Sequence, residues 1–150
     1  MNKPSLRRRI SKPSEDARQP MLFTLLHAAR ALEQRLDAAL AAVELSTPKY
    51  GVLTQLVQAG TPLAPSELAA RLSCVRSNMT QLVDRLEADG LVRRASDQDD
   101  RRIVRVELTT LGRSRQAAGA VAVEKLEKNF ARSLPPGGRF LVERALAAME

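Results

Sequence analysis

From Met21 onward, apolar residues recur at three- and four-residue steps: Leu22, Leu25, Leu26, Ala29, Leu32, Leu36, Leu40 and Val43 share one stripe. That period belongs to a long amphipathic α-helix. Ser46-Thr47-Pro48 is a start signal for a second helix, because a hydroxyl can accept from the free first-turn amides and proline tolerates the first helical position. Tyr50, Val52, Leu53, Leu56 and Val57 carry this helix to a stop near Gly60. Pro65, with Glu67 in the first turn, opens a short third helix through Leu68, Ala69 and Leu72, although Ala64 is a poor cap. A turn around Ser73-Cys74-Val75 leads into a fourth helix that runs to Asp89 and ends at Gly90, a residue suited to the left-handed cap. Two short helices joined by a tight turn predict a helix-turn-helix.

After Gly90 the pattern changes. Leu91-Val92-Arg93-Arg94 and the run from Ile103 to Leu108 are strand-like, the second partly alternating, and a polar, acidic segment from Ser96 to Arg101 joins them. A β-hairpin with a charged tip is expected. Thr109 or Thr110 can cap another long helix, with Leu111, Ala118, Val121, Leu126 and Phe130 on one side, which Pro135-Pro136-Gly137-Gly138 breaks. A last helix carries Phe140, Leu141, Leu146 and Met149. The predicted class is mainly α with a small β-hairpin wing: a winged helix-turn-helix over 46–108, flanked by helices over 21–45 and 109–150, in one domain of residues 21–150. The first helix and the last two carry more apolar stripe than one small core can cover, so they are expected to associate as dimerisation helices in a homodimer. Residues 1–20 show no apolar period and set Pro4, Pro13 and Pro20 among charges and serines; they read as a flexible basic arm.

Composition narrows the function classes. With 150 residues, 44% of them hydrophobic, one core can form without disulfides or metals. Lys plus Arg number 24 against 17 Asp plus Glu, a net charge of +7 that favours an anionic partner. Residues 1–18 supply +4 of it, since Lys3, Arg7, Arg8, Arg9, Lys12 and Arg18 face only Glu15 and Asp16. One cysteine and one histidine make neither an intrachain disulfide nor a typical zinc site, so no metal or other cofactor is expected. Those two residues lie on different elements and no Gly-rich phosphate loop is present, so no positive case for an enzyme emerges. No apolar run approaches the roughly 20 residues that span a bilayer, and the basic N-terminus lacks a signal peptide's apolar stretch. A soluble, cytoplasmic chain with no membrane partner is expected.

The fourth helix carries the candidate chemistry. Val75, Met79, Leu82, Val83 and Leu86 fall on one face by the helical period and are expected to be buried. The opposite face presents Arg76, Ser77, Asn78, Thr80, Gln81, Asp84 and Arg85. A helix N-terminus admits phosphate, while amide and guanidinium groups match base edges bidentately, so this face suits double-stranded DNA; a merely solvated polar face is the plain alternative. The hairpin shifts the balance, because a helix-turn-helix followed at once by a two-stranded wing is a compound order of elements. Arg101 and Arg102 at the wing are cations of the kind that enter narrow minor grooves. Asp97, Asp99 and Asp100 would repel phosphate, so at least one is expected to pair with Arg102 or a neighbouring guanidinium and orient it.

The run from Leu82 through Asp84-Arg85-Leu86-Glu87, Gly90-Leu91-Val92 and Arg94, followed by Asp97, Asp100, Arg102, Leu108-Thr109 and Gly112, resembles the signature of the MarR (multiple antibiotic resistance regulator) family over roughly residues 46–113. The resemblance implies a six-helix winged-helix subunit, a dimer formed by N- and C-terminal helices, a pseudo-palindromic site and, often, release by a small molecule. Carried over by position, residues 76–89 are the recognition helix, Arg102 is the wing arginine and Asp100 stands beside it; Arg101 sits where the family varies. Val75 departs from the pattern at a turn where members often place a polar cap, which leaves Ser73 or Ser77 to serve. Met21-Leu22-Phe23 stand where hydroperoxide-sensing relatives carry a reactive cysteine, so that mechanism does not transfer.

Cys74 is either a redox sensor whose oxidation would misplace the recognition helix, or a small half-buried turn residue, the plainer reading. His27 either lines an effector pocket or faces solvent or the interface. The expected function is a dimeric transcription regulator that binds a pseudo-palindromic operator, recognition helix in the major groove and wing in the minor, modulated by a small-molecule effector. An effector-independent DNA binder and a winged-helix module that binds protein are the alternatives; the latter predicts little loss on changing Arg76 or Arg102.

Overall fold

The structure, a computed structural model, describes residues 20–97 and 102–148. The basic arm expected at the start of the chain therefore lies, up to residue 19, outside the described residues, as does Met149. The elements run α1 (Met21–Ala41), α2 (Thr47–Ala59), α3 (Pro65–Arg71), α4 (Arg76–Ala88), β1 (Val92–Ser96), β2 (Val104–Leu108), α5 (Thr110–Ser133) and α6 (Gly138–Ala147). This is the mainly helical class with one small hairpin that the pattern predicts. Among the described residues, no helix is long and apolar enough to cross a membrane.

The chain divides within α1 into two units, at Leu32 and Glu33. In the first, α1 starts at Pro20, whose carbonyl accepts from the Phe23 amide at 2.9 Å. Met21, Leu22, Phe23, Leu25 and Leu26 are exposed along it, and so is His27.

In the second unit, α1 ends sooner than its apolar stripe suggests. Val43 lies in a turn, not in the helix: Glu44 takes a left-handed φ of 58°, and the Leu45 amide closes back on the Leu40 carbonyl at 3.0 Å. Arg115 of α5 holds this turn, donating to the Val43 carbonyl at 3.1 Å and pairing with Glu44. The start signal of α2 acts through its proline alone. Ser46 occupies the cap position in extended geometry without a side-chain cap bond, and the Thr47 hydroxyl donates instead to Asp37 at 2.6 Å.

Leu40, Val52, Leu53, Leu56, Leu68, Met79, Val83, Leu86, Val92 and Val106 form the heart of one core behind α2, α3, α4 and the hairpin. Each such side chain contributes about 1.5–3 kcal/mol on full burial. Strands β1 and β2 pair antiparallel, Val92 opposite Leu108 and Ser96 opposite Val104. Both strands begin one residue later than the pattern suggests, because Leu91 is drawn into the core and Ile103 turns into β2. Leu63, just before α3, exchanges backbone bonds with Val106 at 3.1 and 2.8 Å, which ties the helix-turn-helix to the wing.

Thr109 caps α5, its hydroxyl oxygen accepting from the Gly112 amide at 2.9 Å. The helix then buries glycines rather than its large apolar residues. A Cβ at Gly119 would lie 2.7 Å from a ring carbon of Tyr50, and one at Gly112 only 1.9 Å from the Leu91 carbonyl oxygen. Leu111, Val121, Phe140, Leu141 and Leu146 of α5 and α6 remain exposed.

Candidate nucleic-acid interface

Helix α3 stops at Leu72 because Ser73 adopts a left-handed φ of 50°, which lets the Cys74 amide reach the Ala69 carbonyl at 2.9 Å. Cys74 is half-buried against the core, its thiol 3.6 Å from the Val75 carbonyl. Val75 is the cap of α4, extended at φ −67° and ψ 138°, with no side-chain cap bond. Neither Ser73 nor Ser77 takes over the missing cap. The expected burial of Val75 also fails: it is 66% exposed, because it precedes the first helical turn and the 3.6-residue period does not govern it. Met79, Val83 and Leu86 are buried and Leu82 is half-buried, as their spacing requires.

On the other side of α4, Arg76, Ser77, Asn78, Thr80, Gln81, Asp84 and Arg85 are all exposed. The Thr80 hydroxyl donates to the Arg76 carbonyl at 3.1 Å, so in this rotamer it meets a ligand only as an acceptor. The C-terminal half of the helix is fastened by polar ties. Arg94 of β1 reaches back across Gly90 to pair with Glu87 and, at 2.5 Å, with Asp84, while its backbone amide donates to Glu87 at 3.1 Å. Burial disfavours the Arg94 charge, but hydrogen bonds to Asp84 and Glu87, with their charges, outweigh it and raise its pKa above the ordinary guanidinium value. Lys49 of α2 pairs with Asp89, and the Thr109 hydroxyl donates to the Gly90 carbonyl at 2.7 Å.

The wing is mounted in the same way. Arg105 of β2 donates from Nε to Asp97 at 2.6 Å and from Nη1 to Glu67 at 2.7 Å, and Glu67 also accepts from the Ala64 amide at 2.6 Å. Glu67 thus caps α3 and anchors the hairpin at once. Arg102 is exposed where the chain turns into β2; Asp100 and Arg101 lie outside the described residues. The structure pairs Asp97 with Arg105, a neighbouring guanidinium.

Asp84 and Glu87 share the Arg94 guanidinium, and Asp97 and Glu67 share that of Arg105, so two cations offset about half of the negative charge of the four carboxylates flanking this face. Sequence reasoning missed Arg94, Arg105 and Lys49. The available signal was the pair of carboxylates at i and i+3 on α4, Asp84 and Glu87, with a basic strand immediately beyond the glycine.

The model of the MarR family matches residues 45–104. PecS, an HTH-type transcriptional regulator from Dickeya dadantii, is 33% identical over 108 residues, which cover 69% of this chain and 64% of PecS. The chain therefore spans somewhat less than two thirds of that relative. Among solved structures, a MarR mutant from E. coli complexed with operator DNA superposes with a TM-score of 0.75 at 24% identity, over 86% of this chain and 93% of that one. CouR from Rhodococcus jostii, bound to p-coumaroyl-CoA, gives 0.73 at 23% identity, over 87% and 92%. At these identities the structures speak for the fold. The sequence match lies on the same residues that build the helix-turn-helix and the first strand of its wing, and over them the chain is similar to the MarR family.

Proposed function

We propose that this chain is a DNA-binding transcription regulator that acts as a homodimer on a pseudo-palindromic operator. The observation that carries the reading is the exposed face of α4: Arg76, Ser77, Asn78, Thr80, Gln81 and Arg85 stand on a helix whose far end is clamped, with the neighbouring acids partly compensated by Arg94. In this reading residues 76–81 enter the major groove and Arg102, with Arg101, enters the minor groove. Asp97 and Asp100 orient the wing cations. PecS is named as a regulator, and the E. coli relative was solved on its operator, which supports the same use of the same fold. A regulator is proposed rather than an enzyme, and a cytoplasmic location goes with it.

Residues 46–108 act as the reading head, while 21–45 and 109–150 associate two copies. The exposed Leu22, Leu25 and Leu26 of α1 and the exposed Phe140, Leu141 and Leu146 of α6 support that division, since scattered single apolar residues would need no explanation but runs do. Sedimentation should give a dimer; a monomer at micromolar concentration that still binds DNA specifically overturns it. Control by a small molecule belongs to the reading because CouR was solved with p-coumaroyl-CoA, and His27 stays the candidate contact.

Selection of bound duplexes from a random pool tests the whole. An enriched palindrome is expected, with Arg76→Ala and Gln81→Ala each costing about 1–3 kcal/mol on the best site and relaxing its preference. A pool without enrichment would favour a protein-binding module.

A further inference from the structure

Val75 combines two local costs. It occupies the cap of α4, where Ser, Thr, Asp or Asn would stabilise the helix, and it leaves an apolar side chain 66% exposed. It is the one large apolar side chain left exposed between residues 58 and 97, all of which are described. Its neighbour Cys74 takes the inward position of this extended stretch, and the Val75 carbonyl accepts the first helical bond, from the Met79 amide at 3.1 Å. The valine Cβ is therefore fixed in space and, being β-branched, its methyls are nearly fixed too. Beside it stand the exposed Arg76, Ser77 and Asn78. A surface that covers this end of α4 must offer an apolar knob within reach of hydrogen-bonding edges. In the major groove the thymine 5-methyl, next to the O4 acceptor and the N6 and N7 groups of the paired adenine, has that combination.

We propose that Val75 is a specificity-determining residue that packs on a thymine methyl in each half-site. The proposal rests on the DNA-binding reading above. It explains why a polar cap is absent where the helix would gain from one: a hydroxyl or carboxylate at this position would turn back onto the α4 amides and present no apolar contact to the base.

The test uses the best duplex from the random pool, with each thymine and its symmetry mate replaced by uracil, which removes the methyl and keeps the hydrogen-bonding edge. One symmetric pair is expected to lose affinity by about fourfold per methyl, the factor that corresponds to burying one such group, while the other pairs change little. Val75→Ser restores a cap and so preserves the fold, which thermal unfolding checks. In that variant the thymine-to-uracil ratio at the sensitive pair is expected to fall to about one, with binding to the uracil duplex close to wild type. A flat uracil scan with wild type, or a ratio unchanged in Val75→Ser, overturns the proposal while the DNA-binding reading stands. Failure to enrich any sequence overturns that reading and this proposal with it.

Discussion

Arg94→Ala removes the guanidinium that fastens β1 to α4. The Arg94 side chain is 29% exposed, Glu87 39% and Asp84 58%, so both ion pairs work in a partly aqueous setting. The value of an exposed pair, about 0.2–1 kcal/mol, therefore applies rather than that of a buried one. Two pairs sharing one cation, with a fork that serves both carboxylates, should together contribute about 1 kcal/mol of folding stability. The raised pKa fixes the sign of the pH dependence. A basic group held above its ordinary value contributes stability that is fully present below that value and is lost only as pH rises through the folded one, so the arginine side of the clamp is constant over roughly pH 6 to 9. Urea unfolding at one fixed protein concentration measures the loss; with a slope of about 1–3 kcal/mol per molar, the midpoint should fall by about 0.3–1 M. A cycle with Glu87→Gln isolates the pair, and a coupling within about 0.3 kcal/mol of zero would refute the argument that this contact fastens the helix. In DNA binding, the same variant leaves Asp84 and Glu87 uncompensated, so affinity should drop on every duplex alike, most steeply at low salt.

Gly119→Ala should destabilise the fold by about 1–3 kcal/mol in thermal unfolding, since its Cβ would meet the Tyr50 ring at 2.7 Å; an unchanged midpoint would mean that α5 shifts freely on α2. Ser73→Gly should raise stability by up to about 1 kcal/mol by relieving a left-handed residue, and a loss on chemical denaturation would assign the serine side chain a role of its own. Deleting residues 1–18 should flatten the salt dependence of DNA binding while leaving the selected sequence unchanged, since the six cations there act without base readout; an unchanged slope would make the arm inert. Arg102→Ala should weaken binding most where A·T-rich flanks narrow the minor groove, and equal loss on all flanks in competition assays would argue against groove-width readout.

The helix-turn-helix and hairpin are legible because their punctuation and their periodicity agree. Gly60, Pro65 and Gly90 stand where the backbone must turn, and Met79, Val83 and Leu86 are spaced for one buried face. Val75 escapes the buried face because the helical period does not reach a residue whose backbone is extended. Ser46 carries the right hydroxyl but makes no cap bond, an outcome set by side-chain geometry and not by residue type. Gly112 and Gly119 sit seven apart in a helix, where glycine reads only as a weak position; their meaning depends on Leu91 and Tyr50, distant in sequence. The same holds for Arg94 and Arg105: each looks like an outward strand residue until the turn at Gly90, or the bridge at Leu63, brings a carboxylate against it.

The choice of ion pairs to mount the reading surface has a physical logic. An apolar contact could fix the hairpin to α4 equally well, but it would leave Asp84 and Glu87 uncompensated beside the polyanion proposed as the partner. Pairing them with Arg94, and Asp97 and Glu67 with Arg105, fixes the geometry and halves the net negative charge of each cluster with the same groups. Salt then acts unequally on the mounting and on the partner. At 0.1 M the screening length is about 10 Å, several times the 2.5–2.7 Å of the Asp84, Asp97 and Glu67 contacts, so these pairs are weakened only modestly. Attraction to phosphates acts through counterion release and falls steeply over the same range. The salt dependence of binding should therefore report phosphate contacts, with the positions of α4 and the wing nearly unchanged beneath it.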